Sequence, residues 1–213
     1  GSPAAIAVVR LKPNQYIHLL DNNANSTKLL TGPLTYTRMD HEYFIPAAPQ
    51  NFICIPPQRY CVVQNPVVRD PVTNAVVFDV YGQAKVRIGD REIRFSQDPF
   101  PLYPGEELQQ DVTRLRFVSE SEALRVTSNR DFDDVDADGT PVQRRAGDMW
   151  MIRGPTMYIP RIEVDTIDTI QATVVRASEA LKIRATADFK DNRASGLQRR
   201  AGEEWLLGKT RAF

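Results

Sequence analysis

The sequence predicts an all-β chain built from small repeated units, and three observations support this. Apolar residues recur with a period of two, or in short runs, which is typical of strands rather than helices. The 15 prolines and 11 glycines are spread along all 213 residues. Because proline disrupts helix interiors and is confined to turns, strand starts and edges, this spread favours many short strands. Several stretches of the sequence also return at a nearly fixed spacing.

The strands are placed by their alternating or continuous apolar residues, and turn residues such as Gly32-Pro33, Pro104-Gly105 and Gly154-Pro155 separate them. The one helical candidate, Ala177 to Leu181, is too short to hold as a helix on its own. In chain order the candidate strands are Tyr16–Leu20, Phe52–Ile55, Tyr60–Val63, Val76–Tyr81, Lys85–Ile88, Glu92–Phe95, Leu115–Val118, Leu124–Val126, Trp150–Ile152, Thr173–Val175, Leu181–Arg184 and Trp205–Leu207.

The internal repeat is clearest in the second half of the chain. The stretch Gln143–Trp150 returns as Gln198–Trp205, at an offset of 55 residues. Ser121–Val126 returns as Ser178–Ile183, at an offset of 57 residues. Weaker matches join the first half, and each unit is expected to gain stability by stacking on its neighbours. The predicted repeats are residues 1–56, 57–113, 114–168 and 169–213; Gly1-Ser2 is interpreted as a cloning scar and the fourth repeat as truncated.

Composition excludes several classes of protein. Lys plus Arg and Asp plus Glu both number 27, so the net charge is zero, which argues against a dedicated surface for nucleic acid or an anionic membrane. No apolar run approaches the ~20 residues of a membrane-spanning helix. The two cysteines, Cys54 and Cys61, lack partners at zinc-ligand spacing and are predicted to be reduced, buried thiols of an intracellular protein.

No arrangement of residues predicts catalysis. The sequence has no nucleotide-binding glycine loop, nucleophile elbow or H-E-x-x-H motif. Its two histidines, His18 and His41, lie outside any nucleophile context and are assigned a surface or structural role. The chain is therefore predicted to be no enzyme and to hold no cofactor.

An acidic run is the one candidate metal site. Asp134, Asp136 and Asp138 precede Gly139 in the D-x-D-x-D-G pattern that opens a calcium loop. The position of the last, bidentate carboxylate is taken by Arg145, a cation. The mechanism of the motif requires that ligand, so a solvated acidic hairpin loop is favoured over a weak calcium site.

Basic doublets precede each tryptophan of the repeat, Arg144-Arg145 before Trp150 and Arg199-Arg200 before Trp205. One interpretation is pairing with acids of the same unit, which contributes little at a surface. The other is contact with a neighbouring subunit, where such charges set register more than affinity.

Nearly the whole chain, from about Arg10 onward, resembles the N-terminal repeat region of the major vault protein family, the shell subunits of the vault ribonucleoprotein particle. The resemblance implies tandem small antiparallel β-sheet repeat domains forming an extended rod, with many copies side by side. It also implies that the first repeats lie at the waist of the particle, where Asp40 and Glu42 are candidates for contact between two half-shells. The stretches that carry the resemblance are Tyr16–Asp21, Gly32–Tyr36, Pro56–Val63, Asn65–Asp70, Phe78–Gln83, Gln97–Glu106, Gly154–Arg161, Ile170–Thr173 and Gly202–Leu206.

The leading hypothesis is a non-enzymatic structural module of a self-assembling shell, whose main partner is another copy of the same chain. Other vault proteins and vault RNA are expected in the full particle, without an identifiable site for them here and without membrane contact. The resemblance implies a cytoplasmic protein with a minor nuclear pool. A second hypothesis is a protein-interaction adaptor whose repeats respond to calcium at Asp134, Asp136 and Asp138.

Overall fold

The computed structural model describes residues 7–136, 139–191, 196–208 and 211–212. These residues form strands, turns and bends and no helix, and every strand pair is antiparallel, which confirms the predicted all-β fold of small sheets. A helix with the length and hydropathy of a bilayer crossing is therefore not found in the described part of the chain. The chain divides into two compact units, residues 1–115 with 160–162, and residues 116–159 with 163–213.

The first unit contains three sheets. Their strands are β1 Val8–Leu11, β2 Gln15–Asp21, β3 Ser26–Thr31, β4 Leu34–Thr37, β5 Glu42–Asn51, β6 Ile53–Gln64, β7 Arg91–Phe100 and β8 Glu107–Arg114. One sheet pairs β1 with β4, one has the order β3-β2-β5, and one has the order β7-β6-β8. There are two separate hydrophobic cores. Val9, Leu11 and Ile17 of β1 and β2 are buried in the first, and Ile55, Cys61 and Val63 of β6 are buried in the second.

The second unit contains one three-stranded sheet and several two-stranded pairs. Its strands are β9 Arg116–Val118, β10 Glu122–Ser128, β11 Phe132–Val135, β12 Pro141–Arg144, β13 Met149–Arg153, β14 Thr156–Tyr158, β15 Val164–Gln171, β16 Thr173–Val174, β17 Leu181–Arg184, β18 Phe189–Asp191, β19 Leu197–Arg199, β20 Glu204–Leu207 and β21 Arg211–Ala212. The three-stranded sheet has the order β13-β10-β15, and the pairs are β9-β14, β11-β12, β16-β21, β17-β20 and β18-β19. The buried core consists of Val118, Leu124, Val126 and Val164.

The strands repeat as the sequence does. In the third predicted repeat Val126 of β10 lies opposite Trp150 of β13, and in the fourth Ile183 of β17 lies opposite Trp205 of β20. The hairpin β11-β12 recurs as β18-β19. The difference is β15, which pairs with β10, whereas among the described residues β17 pairs only with β20.

A glycine before proline has the same surroundings in the first and third predicted repeats. A Cβ atom on Gly32 would lie 1.9 Å from the carbonyl oxygen of Lys12, and one on Gly154 would lie 1.9 Å from that of Ser119. These distances are far below van der Waals contact, so only glycine allows the two stretches of backbone to pass this closely. Residues 32–36 and 154–158 both have the sequence Gly-Pro-x-x-Tyr, and this shared motif marks a close backbone crossing.

Two predicted strands are wrong. Val76–Tyr81 and Lys85–Ile88 form only isolated bridges, which join Val67 to Val86, Arg69 to Val76 and Phe78 to Ala84. Tight turns interrupt this segment, because the carboxylates of Asp70 and Asp79 accept backbone N–H groups two to four residues later. The alternating apolar pattern is real, but the turns leave no run long enough for a ladder.

Two smaller expectations also change. Cys61 is buried as predicted, but Cys54 is exposed, since it points away from the face of β6 on which Ile55 is buried. The helical candidate at Ala177 is a turn, and Leu181 begins β17. The division into four repeats stays a prediction; β6 runs across residue 56 and β15 across residue 168.

Candidate functional site

The first arginine of the Arg144-Arg145 doublet is held within its own repeat. Arg144 ends β12, opposite Phe132 of β11. Its Nε lies 3.3 Å from Oδ2 of Asp134, and its Nη2 lies 3.8 Å from Oδ1 of Asp136. The guanidinium also stacks 4.3 Å from the ring centroid of Trp150, so the side chain is only 14% exposed. We call Phe132, Asp134, Asp136, Arg144 and Trp150 the Arg144 cluster.

The fourth predicted repeat contains the same arrangement. The guanidinium of Arg199 lies 4.4 Å from the ring centroid of Trp205, and its Nε lies 3.4 Å from Oδ2 of Asp191. Its Nη1 donates to Oε1 of Glu203, and this hydrogen bond is the main reason that the pKa of Arg199 is raised. Phe189 packs on Trp205 at 6.2 Å between ring centroids, as Phe132 does on Trp150 at 6.3 Å. Phe189, Asp191, Arg199, Glu203 and Trp205 form the Arg199 cluster.

The second arginine of each doublet faces solvent. Arg145 and Arg200 follow the strands β12 and β19 and are exposed. Their backbone N–H groups donate to the carboxylates of Asp148 and Glu203, so both residues take part in the turn through their backbone. Each doublet therefore divides between the two interpretations: one arginine stabilises its own repeat, and the other presents a charge outward.

The calcium hypothesis meets this same cluster. Asp134 and Asp136, the first two predicted ligands, are paired with Arg144. Asp138, the third, lies outside the described residues. A calcium ion needs six to eight oxygen ligands and would have to compete with the guanidinium for these carboxylates. The internal ion pairs supply the charge balance that a cation would bring, and calcium binding stays a prediction.

The two candidates for the waist contact differ in exposure. Asp40 is exposed. Glu42 is only 7% exposed, and its carboxylate accepts hydrogen bonds from the Tyr36 hydroxyl and the Met39 N–H, so it holds a turn of its own repeat. The contact itself stays a prediction, for which Asp40 presents its side chain to solvent.

Glu42 belongs to a recurring turn that the sequence reasoning missed. In each case the N–H of one residue donates to the side chain of the residue three positions later, whose own N–H donates back to the first residue's carbonyl. Gly105, Gly147 and Gly202 precede three of the acceptors with positive φ, so a Gly-acid pair is the signal that could have predicted these turns. The accepting side chains are Gln15, Glu42, Glu106, Glu122, Asp148, Glu179 and Glu203.

Glu106 makes the most buried of these turns and joins the irregular segment 65–90 to its sheet. Its carboxylate accepts from the N–H groups of Val67 and Tyr103 and from Arg94, all within the first unit. Arg94 is itself 7% exposed, and its guanidinium lies 4.8 Å from the ring centroid of Phe100. Removing one partner of such a buried pair is costly, because the other charge is left without compensation. The Glu106 carboxylate thus stabilises the fold of the first unit.

Comparison with known proteins supports one family throughout. Residues 52–112 match one family model described as a major vault protein repeat domain, and residues 116–161 and 173–213 match a second with the same description. The chain is 46% identical over 209 residues to major vault protein beta of Dictyostelium discoideum. This alignment covers 98% of the chain and 24% of the relative. It is 45% identical over 206 residues to the major vault protein of Gallus gallus, covering 97% and 23%. For the major vault protein of Homo sapiens the identity is 44% over 206 residues, covering 97% and 22%.

Proposed function

The chain belongs to the major vault protein family, and on that premise we propose that it is the N-terminal part of a structural, non-enzymatic shell subunit. In this proposal identical chains stand side by side and form the hollow vault ribonucleoprotein particle. The observation that carries it is the extent of the similarity, which reaches 97% of this chain at 45% identity. The chain spans about a quarter of the length of these relatives, 24% of the Dictyostelium discoideum protein.

The distribution of charge supports contact between copies. The inner arginines, Arg144 and Arg199, are neutralised within their own clusters. The outer arginines, Arg145 and Arg200, are exposed at equivalent places in the third and fourth predicted repeats. Charges that recur from repeat to repeat fix the register between two identical chains, since complementary charge sets orientation more than affinity. We therefore assign Arg145 and Arg200 to contacts between neighbouring chains.

The first predicted repeat takes the place at the waist in this proposal. Asp40 is the exposed acid of that repeat which we assign to the contact between two half-shells. Glu42 acts one step back, because it holds the Met39–Glu42 turn that presents Asp40. Asp40 lies within that turn and depends on it for its position.

The remaining parts of the proposal concern the particle as a whole. Other vault proteins and vault RNA are its further components, and this chain offers them no direct binding site and makes no contact with membranes. The subunit resides in the cytoplasm with a minor nuclear pool. A non-enzymatic role is supported by the Arg144 and Arg199 clusters and by the turns that a carboxylate closes. These features recur along the chain, which suits a scaffold, whereas catalytic groups must converge on one place.

Imaging of the full-length protein that contains this chain tests the proposal. We expect light scattering to report a large assembly, and cryo-electron microscopy to show hollow particles whose walls consist of parallel chains. A soluble, folded full-length protein that stays monomeric at every concentration examined would contradict it. Circular dichroism of the same sample, showing the strand content of the intact fold, separates a failure to assemble from a failure to fold.

A further inference from the structure

Three side chains with metal-binding atoms meet at one end of the sheet β3-β2-β5. Asp21 ends β2, Glu42 begins β5, and the two residues lie directly opposite each other in the antiparallel register. His41 precedes Glu42, and its carbonyl accepts the N–H of Asn22, which holds the two strand ends together. One ligand atom from each of Asp21, His41 and Glu42 lies within 4.8 Å of the others, the one such group in the part of the chain that the structure describes.

The electrostatics of this group favour a cation. Like charges directly opposite each other on neighbouring strands are destabilising, and Asp21 and Glu42 are such a pair. The cost is increased by burial, since Glu42 is 7% exposed. His41 already approaches the pair, with its Nε2 3.8 Å from Oδ1 of Asp21.

The carboxylates keep capacity for an ion. Each carboxylate has two oxygens and about four acceptor sites. Glu42 Oε1 accepts from the Tyr36 hydroxyl, and Oε2 from that hydroxyl and the Met39 N–H. Oδ1 of Asp21 accepts the N–H groups of Asn23 and Ala24, and the Ala24 bond is the main reason that its pKa is lowered.

Arg38, the arginine of this turn, contacts backbone carbonyl groups and an aromatic ring. Arg38 Nη1 donates to the carbonyl oxygens of Met39 and Glu42, and the guanidinium lies 5.4 Å from the ring centroid of Tyr43. Lys28 is a further cation near Asp21, and after the hydrogen bond from the N–H of Ala24 its charge contributes to the lowered pKa of Asp21.

The same turn elsewhere in the chain lacks this group. Glu106, Glu122 and Glu203 hold turns of the same kind, but among the described residues none of these turns brings together three metal-binding side chains. The chain has one other histidine, His18. His18 is used differently, with its Nε2 2.8 Å from the carbonyl oxygen of Leu102. The convergence of imidazole and two carboxylates is thus a feature added to one turn and is not required by the turn itself.

We propose that Asp21, His41 and Glu42 bind one divalent transition-metal ion, for which Zn²⁺ has the matching ligand preference. Zn²⁺ takes imidazole nitrogen at about 2.0 Å and carboxylate oxygen at about 2.1 Å, whereas calcium and magnesium prefer oxygen alone. Tetrahedral bonds of that length put ligand atoms about 3.4 Å apart. The ligand atoms of Asp21, His41 and Glu42 now lie within 4.8 Å of one another and would have to close to that spacing on binding. The side chains of Asp21 and His41, which are 19% and 32% exposed, are less buried than that of Glu42.

Three protein ligands leave one coordination position of the ion open. The bound ion would tie the end of β2 to the start of β5 and fix the turn that carries Asp40. The inference depends on the local geometry alone and stands whether or not the shell proposal is correct.

Calorimetric titration with ZnCl₂ tests the proposal on the full chain. The exposed thiol of Cys54 is a competing soft ligand, so the Cys54→Ser variant is the reference. We expect one Zn²⁺ per chain, and at least about tenfold weaker binding in His41→Ala, since loss of even an outer-shell partner of a metal ligand typically costs about 10–100-fold. His18→Gln is the matched control, because it removes the other histidine while keeping a hydrogen-bonding side chain, and should bind Zn²⁺ as the reference does.

Asp21→Asn provides a second, independent variant. The asparagine oxygen can still accept the N–H groups of Asn23 and Ala24, so the turn is retained while the charged ligand is lost. We expect weakened Zn²⁺ binding with an unchanged far-ultraviolet circular dichroism spectrum; both tryptophans lie in the second unit and do not report on this turn. The proposal is overturned if the reference binds no Zn²⁺, or if His41→Ala and His18→Gln weaken binding equally.

Discussion

The third and fourth predicted repeats contain the same tryptophan cluster in sheets of different size. In the third, β10 lies between β13 and β15, and Val118, Leu124, Val126 and Val164 are buried around it. In the fourth, β17 pairs with β20 alone among the described residues, and the buried apolar residues from 173 onward are Val175 and Ala185. Yet the two arginine-to-ring distances are 4.3 and 4.4 Å.

The arginine–tryptophan contact is thus formed by residues close in sequence, whereas the buried core depends on strands that are further apart in the chain. The cluster requires only a hairpin, a turn and the tryptophan strand, all specified within about twenty residues, so it forms the same way in both repeats. The buried core requires the third strand. We infer that the third repeat owes its stability chiefly to burial and the fourth chiefly to its Arg199 cluster and carboxylate turns, because hydrophobic stabilisation scales with the area removed from water.

The largest expected difference concerns glycine. Gly154→Ala places a Cβ atom 1.9 Å from the carbonyl oxygen of Ser119, and we expect a loss of about 3 kcal/mol or more in unfolding free energy, or failure of the third repeat to fold. The matched control is Gly208→Ala in the fourth repeat, where the Cβ would meet nothing within 4 Å. There the change should stay within about 0.5 kcal/mol.

The two tryptophans make this measurement specific. Trp150 and Trp205 are the only ones in the chain, so Trp205→Phe leaves a reporter in the third repeat and Trp150→Phe leaves one in the fourth. Urea unfolding followed by fluorescence then assigns a loss of stability to its repeat. Equal effects of Gly154→Ala and Gly208→Ala would contradict the close crossing.

Replacing the inner arginines should have the next largest effect on stability. Arg144→Met removes the ion pairs with Asp134 and Asp136 and the stacking on Trp150, and we expect it to cost about 1–2 kcal/mol. Arg199→Met should lower the urea midpoint in the same direction. The neighbouring outer arginines provide matched controls: Arg145→Met and Arg200→Met should leave the midpoints within experimental scatter. Equal effects within a doublet would show that the division into inner and outer arginines is wrong.

Acid sensitivity is the smallest expected difference. The hydrogen bond from Arg199, and then that from the N–H of Arg200, lower the pKa of Glu203 below its ordinary value of 4.5. A carboxylate with a lowered pKa in the folded state contributes stability above the unfolded pKa, and this contribution is lost as the pH falls through the folded pKa. The urea midpoint reported by Trp205 should therefore fall on acidification below about pH 4.5.

Glu203→Gln tests this assignment. The variant should flatten the acid dependence reported by Trp205 and leave that reported by Trp150 unchanged. The third repeat keeps its own acid-sensitive group, Glu122, whose pKa is lowered chiefly by the hydrogen bond from Gln171 and then by that from Ser119. An unchanged pH profile at Trp205 in the variant would show that Glu203 makes no net contribution.

The repeat spacing and the apolar alternation were sufficient to predict the fold class and nine of the 21 strands of the described residues, whereas strands such as β3, β5 and β15 were not predicted. They could not predict which arginine of a doublet turns inward, because that depends on the register of β12 with β11, which places Arg144 opposite Phe132. The failed strands near residues 76–88 follow from side-chain turns at Asp70 and Asp79, which compete with the ladder. The group at His41 arises from pairing of Asp21 with Glu42, twenty-one residues apart, and no local pattern encodes it.

We propose that the outer arginines contact other copies of the chain, whereas the inner arginines stabilise their own repeats. Arginine modification by phenylglyoxal, measured by mass spectrometry, tests this most directly. The isolated chain and the particle formed by the full-length protein are compared. We expect Arg145 and Arg200 to react in the isolated chain and to be protected in the particle, whereas Arg144 and Arg199 are unreactive in both. Equal reactivity of Arg145 and Arg200 in the chain and the particle would contradict it.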